Sequence, residues 1–377
     1  MGAGTIQLPS GVLPDSFRDA TLMTHSLRST AQSLIRAQSF GLAVVLVILA
    51  GVLTAVSGSH VDPMTGASIN NFLNAHTLLQ MATDTSTIAI MAVGATLMII
   101  SGGIDLSVGA IYAISGVGMA MVLRGIGPMA PVPTVLVALV MCLAISFLCG
   151  LANGIMTIGL GVHSFIITLG TMWVFRGLAF VSSRAESILV PTPLTAVTKA
   201  SLGLGATLSP VPLLAMLAVT GVGAVFLTRT VMGRHVLAVG GNTEASRYAG
   251  LRVNRIRLGV FLWSGITAGI AAFLGAGYYG SATSSDGTGY ELYVIASAVV
   301  GGASLQGGKG SAISSTLGAL LIVLIRQAIR TLHLDQNYEW IIIGTAMIAA
   351  VVLDQSGTRL LARRMAREGA DDGAKGT

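Results

Sequence analysis

Charge is scarce in this chain. Asp, Glu, Lys and Arg together make up 10% of its 377 residues, where a soluble domain carries about 25%. Hydrophobic residues fill 53% and the mean hydropathy is +0.81, a balance that no single soluble core absorbs. Cysteine is nearly absent. Cys142 and Cys149 share one apolar stretch and read as small packing groups, with no disulfide or metal framework. The six histidines form no HExxH or close-spaced cluster, so a metal site has no support. No Ser/His/Asp spacing points to hydrolysis, and no catalytic residue is assigned. Aromatics are 5% of the chain; Trp173, Trp263 and Trp340 read as interface anchors. The first 38 residues lack an early apolar core, so no cleavable signal peptide is expected. A phosphate loop is also missing. GGASLQGGKGS at 301–311 fails the pattern twice: its first glycine would be Ala303, and Lys309 is followed by Gly310.

What is present in quantity is long apolar runs and 48 glycines, small residues that let membrane helices approach closely. A spanning helix needs about 20 apolar residues. The runs predict an all-α integral membrane protein, a bundle of about ten spans, some broken at glycine. They lie near 39–57, 79–100, 104–123, 132–157, 164–182, 211–228, 257–279, 290–303, 311–329 and 339–354. Ten spans put both termini on one side. Arg18, Arg28 and Arg36 before the first span, and Arg359, Arg363, Arg364 and Arg367 after the last, place that side in the cytoplasm. Positive-inside topology thus accounts for the net charge of +6, which is not read as a nucleic-acid signal. Residues 1–38 form a cytoplasmic segment, in which Leu27, Ala31, Leu34 and Ile35 outline a short interfacial helix; 39–354 form the membrane domain and 355–377 a cytoplasmic tail. The loops 58–71 and 184–210 face outward. No ATPase, protease or redox module is expected within the chain.

One polar island interrupts the apolar pattern. Between Arg229 and Arg257 stand six arginines and one acid, Glu244. Within this connection, 229–256, Asn242 or Thr243 can cap a helix, Glu244 suits its first turn and Gly250 can end it. The resulting helix, 244–251, is about two turns long. A lone helix so short is marginal in water, so it needs a docking surface; the plainer alternative is a basic loop facing lipid. There is also an internal echo. GGIDLSVGAI at 102–111 resembles GGASLQGGKG at 301–310, and IITLGTM at 166–172 resembles IIIGTAM at 341–347. Interrupted spans at corresponding positions of two halves can mark a transport pathway, and chance similarity among Gly-rich helices is the alternative.

Several polar groups fall inside spans, where ionisable residues are costly. Asp105 can cap the helix that follows it or serve transport directly. Arg176 can snorkel, bind helix carbonyls or meet an acid. Asn153 can hydrogen-bond across helices. Glu291 can open a helix, and with Tyr290 and Tyr293 it makes a polar, aromatic outer vestibule. Arg326 and Arg330 share a helix face and can snorkel or meet Asp335 or Glu339. The candidate pathway residues are therefore Asp105, Asn153, Arg176, Tyr290, Glu291 and Arg326.

Four segments then carry a resemblance: AVGATLMIISGGIDLSVGAI at 92–111, GLANGIMTIGLGVHSFIITLGTMWVFRGLA at 150–179, GRHVLAVGGNTEASRYAGLRVNRIR at 233–257 and GTGYELYVIASAVVGGASLQGGKGS at 287–311. From about residue 70 to Asp354 the chain resembles the transmembrane permease subunits of bacterial sugar ABC importers of the ribose, xylose, arabinose and galactose type. The resemblance implies an inner-membrane permease dimer, of two copies or of paralogues, working with cytoplasmic ATPase subunits and a periplasmic sugar-binding protein. ATP would be bound by those partners and no cofactor by this chain. The short cytoplasmic helix would dock on the ATPase through Asn242, Thr243, Glu244, Ala245, Ser246, Arg247 and Gly250. Three departures, Tyr293 where the family usually carries an acid, Ser297 in IASAVV and the charges Arg326 and Arg330 at the end of the ninth span, bear on the substrate, which the resemblance implies is a monosaccharide or related polyol. The rival class is an ion-coupled secondary transporter, for which Asp105 and Asp84 are the candidate coupling acids; a passive channel would need a filter that the sequence does not display.

Overall fold

A computed structural model describes residues 39–61, 66–202, 209–345, 348 and 352. The N-terminal interfacial helix and the arginine-bearing C-terminal tail lie outside the described residues. The described chain is helical almost throughout. Helix α1 is Ser39–Val56, followed by a small hairpin of β1 (Ser59–Val61) and β2 (Ser68–Asn70). Then come α2 (Ala75–Ile100), α3 (Val108–Ile126), α4 (Pro131–Leu160) and α5 (Ser164–Ser183). Strand β3 (Ile188–Leu189) and α6 (Thr192–Thr198) precede α7 (Val211–Arg229), α8 (Val231–Gly241), α9 (Thr243–Tyr248) and α10 (Val253–Tyr279). Strand β4 (Ser281–Ala282) pairs back onto β3, and α11 (Tyr290–Val300), α12 (Ala312–Thr331) and α13 (338–345) complete the order.

Among the described residues, eight helices are long and apolar enough to cross a membrane: α1, α2, α3, α4, α5, α7, α10 and α12. They are unequally buried. The apolar window of α2 is 94% buried and that of α10 67%, against 28% for α4, α5 and α7 and 17% for α1. Helix α2 is therefore the axis, packed by α7, α10, α11 and α12. The outer helices keep apolar faces free, as a protein solvated by lipid must.

Three sequence expectations are corrected. The span expected at 104–123 begins as helix only at Val108, because residues 103–107 run non-helical. The span expected at 290–303 is the eleven-residue α11, about 16 Å long at 1.5 Å per residue, roughly half the hydrocarbon depth. It opens after Gly289 in a left-handed conformation (φ 81°) and stops at Gly301. The connection 229–256 is not a simple polar loop. Helix α8 fills its first half, burying Val236 and Val239 against Val93, Leu97 and Ile100 of α2.

The echo between the two halves is a repeated turn. Helix α2 ends with Gly102 N–H donating to Ile99 O (2.9 Å) and Gly103 N–H to Met98 O (3.0 Å). Helix α11 ends with Gly302 N–H donating to Val299 O (2.8 Å) and Ala303 N–H to Ala298 O (2.9 Å). Both are Schellman caps, which place a glycine where φ is positive; Gly102 has φ 82° and Gly302 φ 91°. Superposing the turns matches Gly102 with Gly302, one residue out of step with the sequence echo.

Candidate translocation pathway and coupling segment

Non-helical backbone at membrane depth is tolerated only where protein satisfies it, and the first break meets that condition with side chains from three helices. Ile104 N–H donates to Ser164 Oγ (3.0 Å) and Leu106 N–H to Thr168 Oγ1 (3.1 Å), both on α5. Asp105 is buried and accepts from Ser107 N–H (2.9 Å), Ser107 Oγ (2.6 Å) and Ser264 Oγ of α10 (2.8 Å). Asn153 of α4 donates from Nδ2 to Ser107 Oγ at 2.7 Å. Asp105 thus does not cap α3, whose N-cap is Ser107; it stitches the break to α10. Asn153 and Asp105 share one network through Ser107, and the Asn153 Oδ1 is buried without a partner.

A second polar group gathers around the start of α11. The backbone at 283–289 turns inward against α3, where Gly109 has no side chain to interfere: a Cβ there would lie 2.6 Å from Glu291 Oε2. Arg176 of α5 is buried and donates from Nη1 to the carbonyls of Ser284 (2.9 Å) and Asp286. Of the alternatives open to Arg176, the structure shows carbonyl bracing of this inward loop. Asp286 closes the turn by accepting from Thr283 N–H (2.8 Å) and Thr283 Oγ1 (2.6 Å). Glu291 lies in the first turn of α11 with Oε2 buried and without a hydrogen bond. Four rings form a row, Tyr112–Tyr290 (5.7 Å between centroids), Tyr290–Tyr293 (6.3 Å) and Tyr293–Trp340 (5.9 Å, stacked). Trp340, expected as an interface anchor, is thereby part of this group. Arg326 lies over the Tyr293 ring at 5.0 Å and pairs with Glu339 at 2.8 Å. Arg330 does not meet Asp335 or Glu339; its partner is Asp84 of α2, at 3.2 Å.

Arg176, Tyr290, Glu291 and Arg326 are thus brought together around α11, while Asp105 and Asn153 sit in the separate network at the break. Sequence reasoning did not single out Ser164, Thr168 and Ser264, which serve the break, or Tyr112, which joins the ring row. Hydroxyl and phenol groups on apolar helices carry no local signal of such pairing. Among the described residues no group of three or more His, Cys, Asp or Glu is placed to hold a metal. Cys142 and Cys149 are free and buried.

The polar island folds as the cap residues dictate. Asn242 accepts from Ala245 N–H through Oδ1 (2.9 Å), opening α9 at Thr243. Gly250 (φ 81°) closes it, with Gly250 N–H on Arg247 O (2.9 Å) and Leu251 N–H on Ser246 O (3.0 Å). The helix therefore stops at Tyr248, short of the expected Leu251. Glu244 and Arg247 pair loosely at 3.6 Å, with side chains 70% and 55% exposed, and Tyr248 is 90% exposed. Only Ser246 is buried. A cavity of about 460 Å³, lined in part by Gly102, His163, Arg247 and Arg257, separates α9 from the first break. The attachment to the bundle runs through α8 instead. Gly240 leaves no space for a Cβ against Ile100 O, and Gly308 N–H donates to that same carbonyl at 2.8 Å. One joint therefore links α8, the end of α2 and a second break, the non-helical residues 301–311 between α11 and α12.

Comparison with known proteins agrees with this architecture. The D-allose transport system permease protein AlsC of Escherichia coli (strain K12) is 35% identical over 285 residues, 75% of this chain and 85% of that protein. The ribose import permease protein RbsC of Haemophilus influenzae is 35% identical over 294 residues, 77% and 89% of the two chains. The autoinducer 2 import system permease protein LsrD of Yersinia enterocolitica is 32% identical over 294 residues, 76% and 86%. The chain is a multi-pass membrane transport component, not an enzyme. A family model described as a branched-chain amino acid transport system / permease component matches residues 77–351, and the chain belongs to that permease family.

Proposed function

We propose that this chain is the permease subunit of an ATP-binding-cassette importer carrying a monosaccharide or related polyol across the bacterial inner membrane. The observation that carries the reading is the exposed α9, capped at both ends and joined through α8 to both helix breaks. A two-turn helix with one buried residue has no stability of its own, so its exposed face is built for a partner. The partner is a cytoplasmic ATPase subunit that docks on Asn242–Arg247 and Gly250. Both termini and the arginine-rich segment are cytoplasmic, in keeping with positive-inside topology. A periplasmic binding protein delivers the sugar to the opposite end, over the 58–71 and 184–210 connections. The lightly buried faces of α1, α4, α5 and α7 meet lipid and a second permease subunit. Relatives named for ribose, allose and autoinducer 2 support a small polyhydroxylated substrate.

ATP binding in the partners moves α9, and the joint at Gly240 passes that motion to α2 and to the second break. Asp105 and Asn153 hold the first break together, while Arg176, Tyr290, Glu291 and Arg326 line the pathway around α11. Alternating access follows as a population shift driven by different contacts in the two states. The test is uptake of labelled D-ribose and D-allose by cells carrying the complete transporter, with the ATPase's phosphate-loop lysine replaced. The reading predicts loss of uptake; undiminished uptake contradicts it.

A further inference from the structure

Arg326 and Arg330 stand one turn apart on α12, at the end of the bundle away from α9, yet each pairs with a carboxylate from a different segment. Arg326 Nε lies 2.8 Å from Glu339 Oε1, and Arg330 Nη1 lies 3.2 Å from Asp84 Oδ2. Each carboxylate also accepts a phenol: Tyr293 OH donates to Glu339 Oε1 at 2.6 Å and Tyr279 OH to Asp84 Oδ1 at 2.9 Å. Each station holds one carboxylate, one guanidinium and one phenol, and Asp84 Oδ1 accepts in addition from Gln80 Nε2 at 3.1 Å. Together they tie α12 to α2 and α10 on one side and to α11 and α13 on the other. Neither station is fully buried, with the Asp84 and Glu339 side chains 12% and 15% exposed and Arg330 43% exposed.

This arrangement suits a neutral polyol. A sugar hydroxyl donates to a carboxylate as a phenol does, so exchanging one for the other conserves the number of charge-assisted hydrogen bonds. The guanidinium meanwhile stays in place and keeps the carboxylate oriented. The stacked Tyr293 and Trp340 rings supply an apolar face beside the Glu339 station. Weak, isoenergetic exchange is what a pathway needs, since a substrate held tightly would not leave.

We propose that Asp84 and Glu339 form a hydroxyl-exchange site for a neutral sugar, at which substrate hydroxyls displace the phenols of Tyr279 and Tyr293. The arriving substrate thereby releases the α10–α2 and α11–α13 tethers. This rests on the importer reading above. The test uses the complete importer in proteoliposomes, with saturating sugar-loaded binding protein and labelled D-ribose and D-allose as probes. Tyr279→Phe and Tyr293→Phe remove the competing donor and keep the rings; uptake at or above the wild-type rate is expected. Asp84→Asn and Glu339→Gln weaken the acceptor; uptake falls about tenfold, while ATP hydrolysis stimulated by loaded binding protein persists. If the stations are only structural ties, phenol and carboxylate variants lose uptake alike, and that result overturns the proposal with the importer reading intact. A wild-type importer that accumulates no member of a panel of monosaccharides and polyols, D-ribose and D-allose included, overturns the sugar reading itself, and this site with it. The conservative phenylalanine variants keep the test decisive even if a carboxylate variant fails to fold.

Discussion

Gly240 and Ile100 meet backbone to backbone: any Cβ at position 240 would overlap the Ile100 carbonyl oxygen, and Gly307 and Gly308 close the same contact from the other side. Its neighbour Gly241 has open space around its Cβ position. The two glycines therefore separate a packing role from a helix-propensity role. Gly240→Ala is expected to lower the melting temperature of the purified chain or to cut ATP-driven uptake at least tenfold. Gly241→Ala should be neutral or stabilising by up to about 1 kcal/mol. Equal behaviour of the two variants in melting and uptake would remove the joint from the account.

The first break depends on Asp105. Replacing it with Ala strands the Ser107 N–H and the Ser264 hydroxyl in a buried site, at about 1–3 kcal/mol for each group left unpaired. Asp105→Asn keeps an acceptor for Ser107, so its loss should be smaller. Melting temperatures of the two variants against the parent check the order, Ala below Asn below Asp.

Arg176 supplies the donors for the Ser284 and Asp286 carbonyls. Arg176→Met keeps much of the apolar stem and removes those donors. Hydrogen bonds from a charged group are each worth about 1.5–3 kcal/mol, so the variant should melt well below the parent and exchange backbone amides faster at 283–289. Unchanged exchange in that segment would show that the turn holds without Arg176.

Much of this architecture was legible because apolar runs and cap residues act locally. The long helices follow from runs of about 20 apolar residues, and Asn242 and Gly250 bound α9 through contacts within a few positions. The half-length α11 was less legible, since an apolar run does not announce that its neighbouring backbone folds inward; that depends on Arg176 and Gly109, far away in sequence. Helix α8 was missed because Gly233, Gly240 and two basic residues mask its apolar face, which is read only once Ile100 is beside it. The Arg330 pairing failed for the same reason. Asp335 is close in sequence, but helix packing brings Asp84, 246 positions away, within reach. Long-range polar pairs are set by tertiary geometry, and composition or spacing cannot rank them.

Helix α9 presents Glu244 and Arg247 to solvent, paired at 3.6 Å. An exposed pair of this kind contributes little to stability. Glu244→Arg combined with Arg247→Glu should therefore lower the melting temperature only slightly, through the reversed charges at the helix ends, about 0.3–1 kcal/mol each, while abolishing co-purification of the ATPase subunits. Intact co-purification would show that α9 is not the docking element.

The central claim is that the motion of this bundle is driven by ATP through α9 and not by an ion gradient. Accumulation of labelled sugar by vesicles containing the complete importer tests it directly, with ATP and with a proton or sodium gradient supplied separately. The account predicts concentrative uptake with ATP alone and none with either gradient alone. Uptake that follows a gradient in the absence of ATP would contradict it.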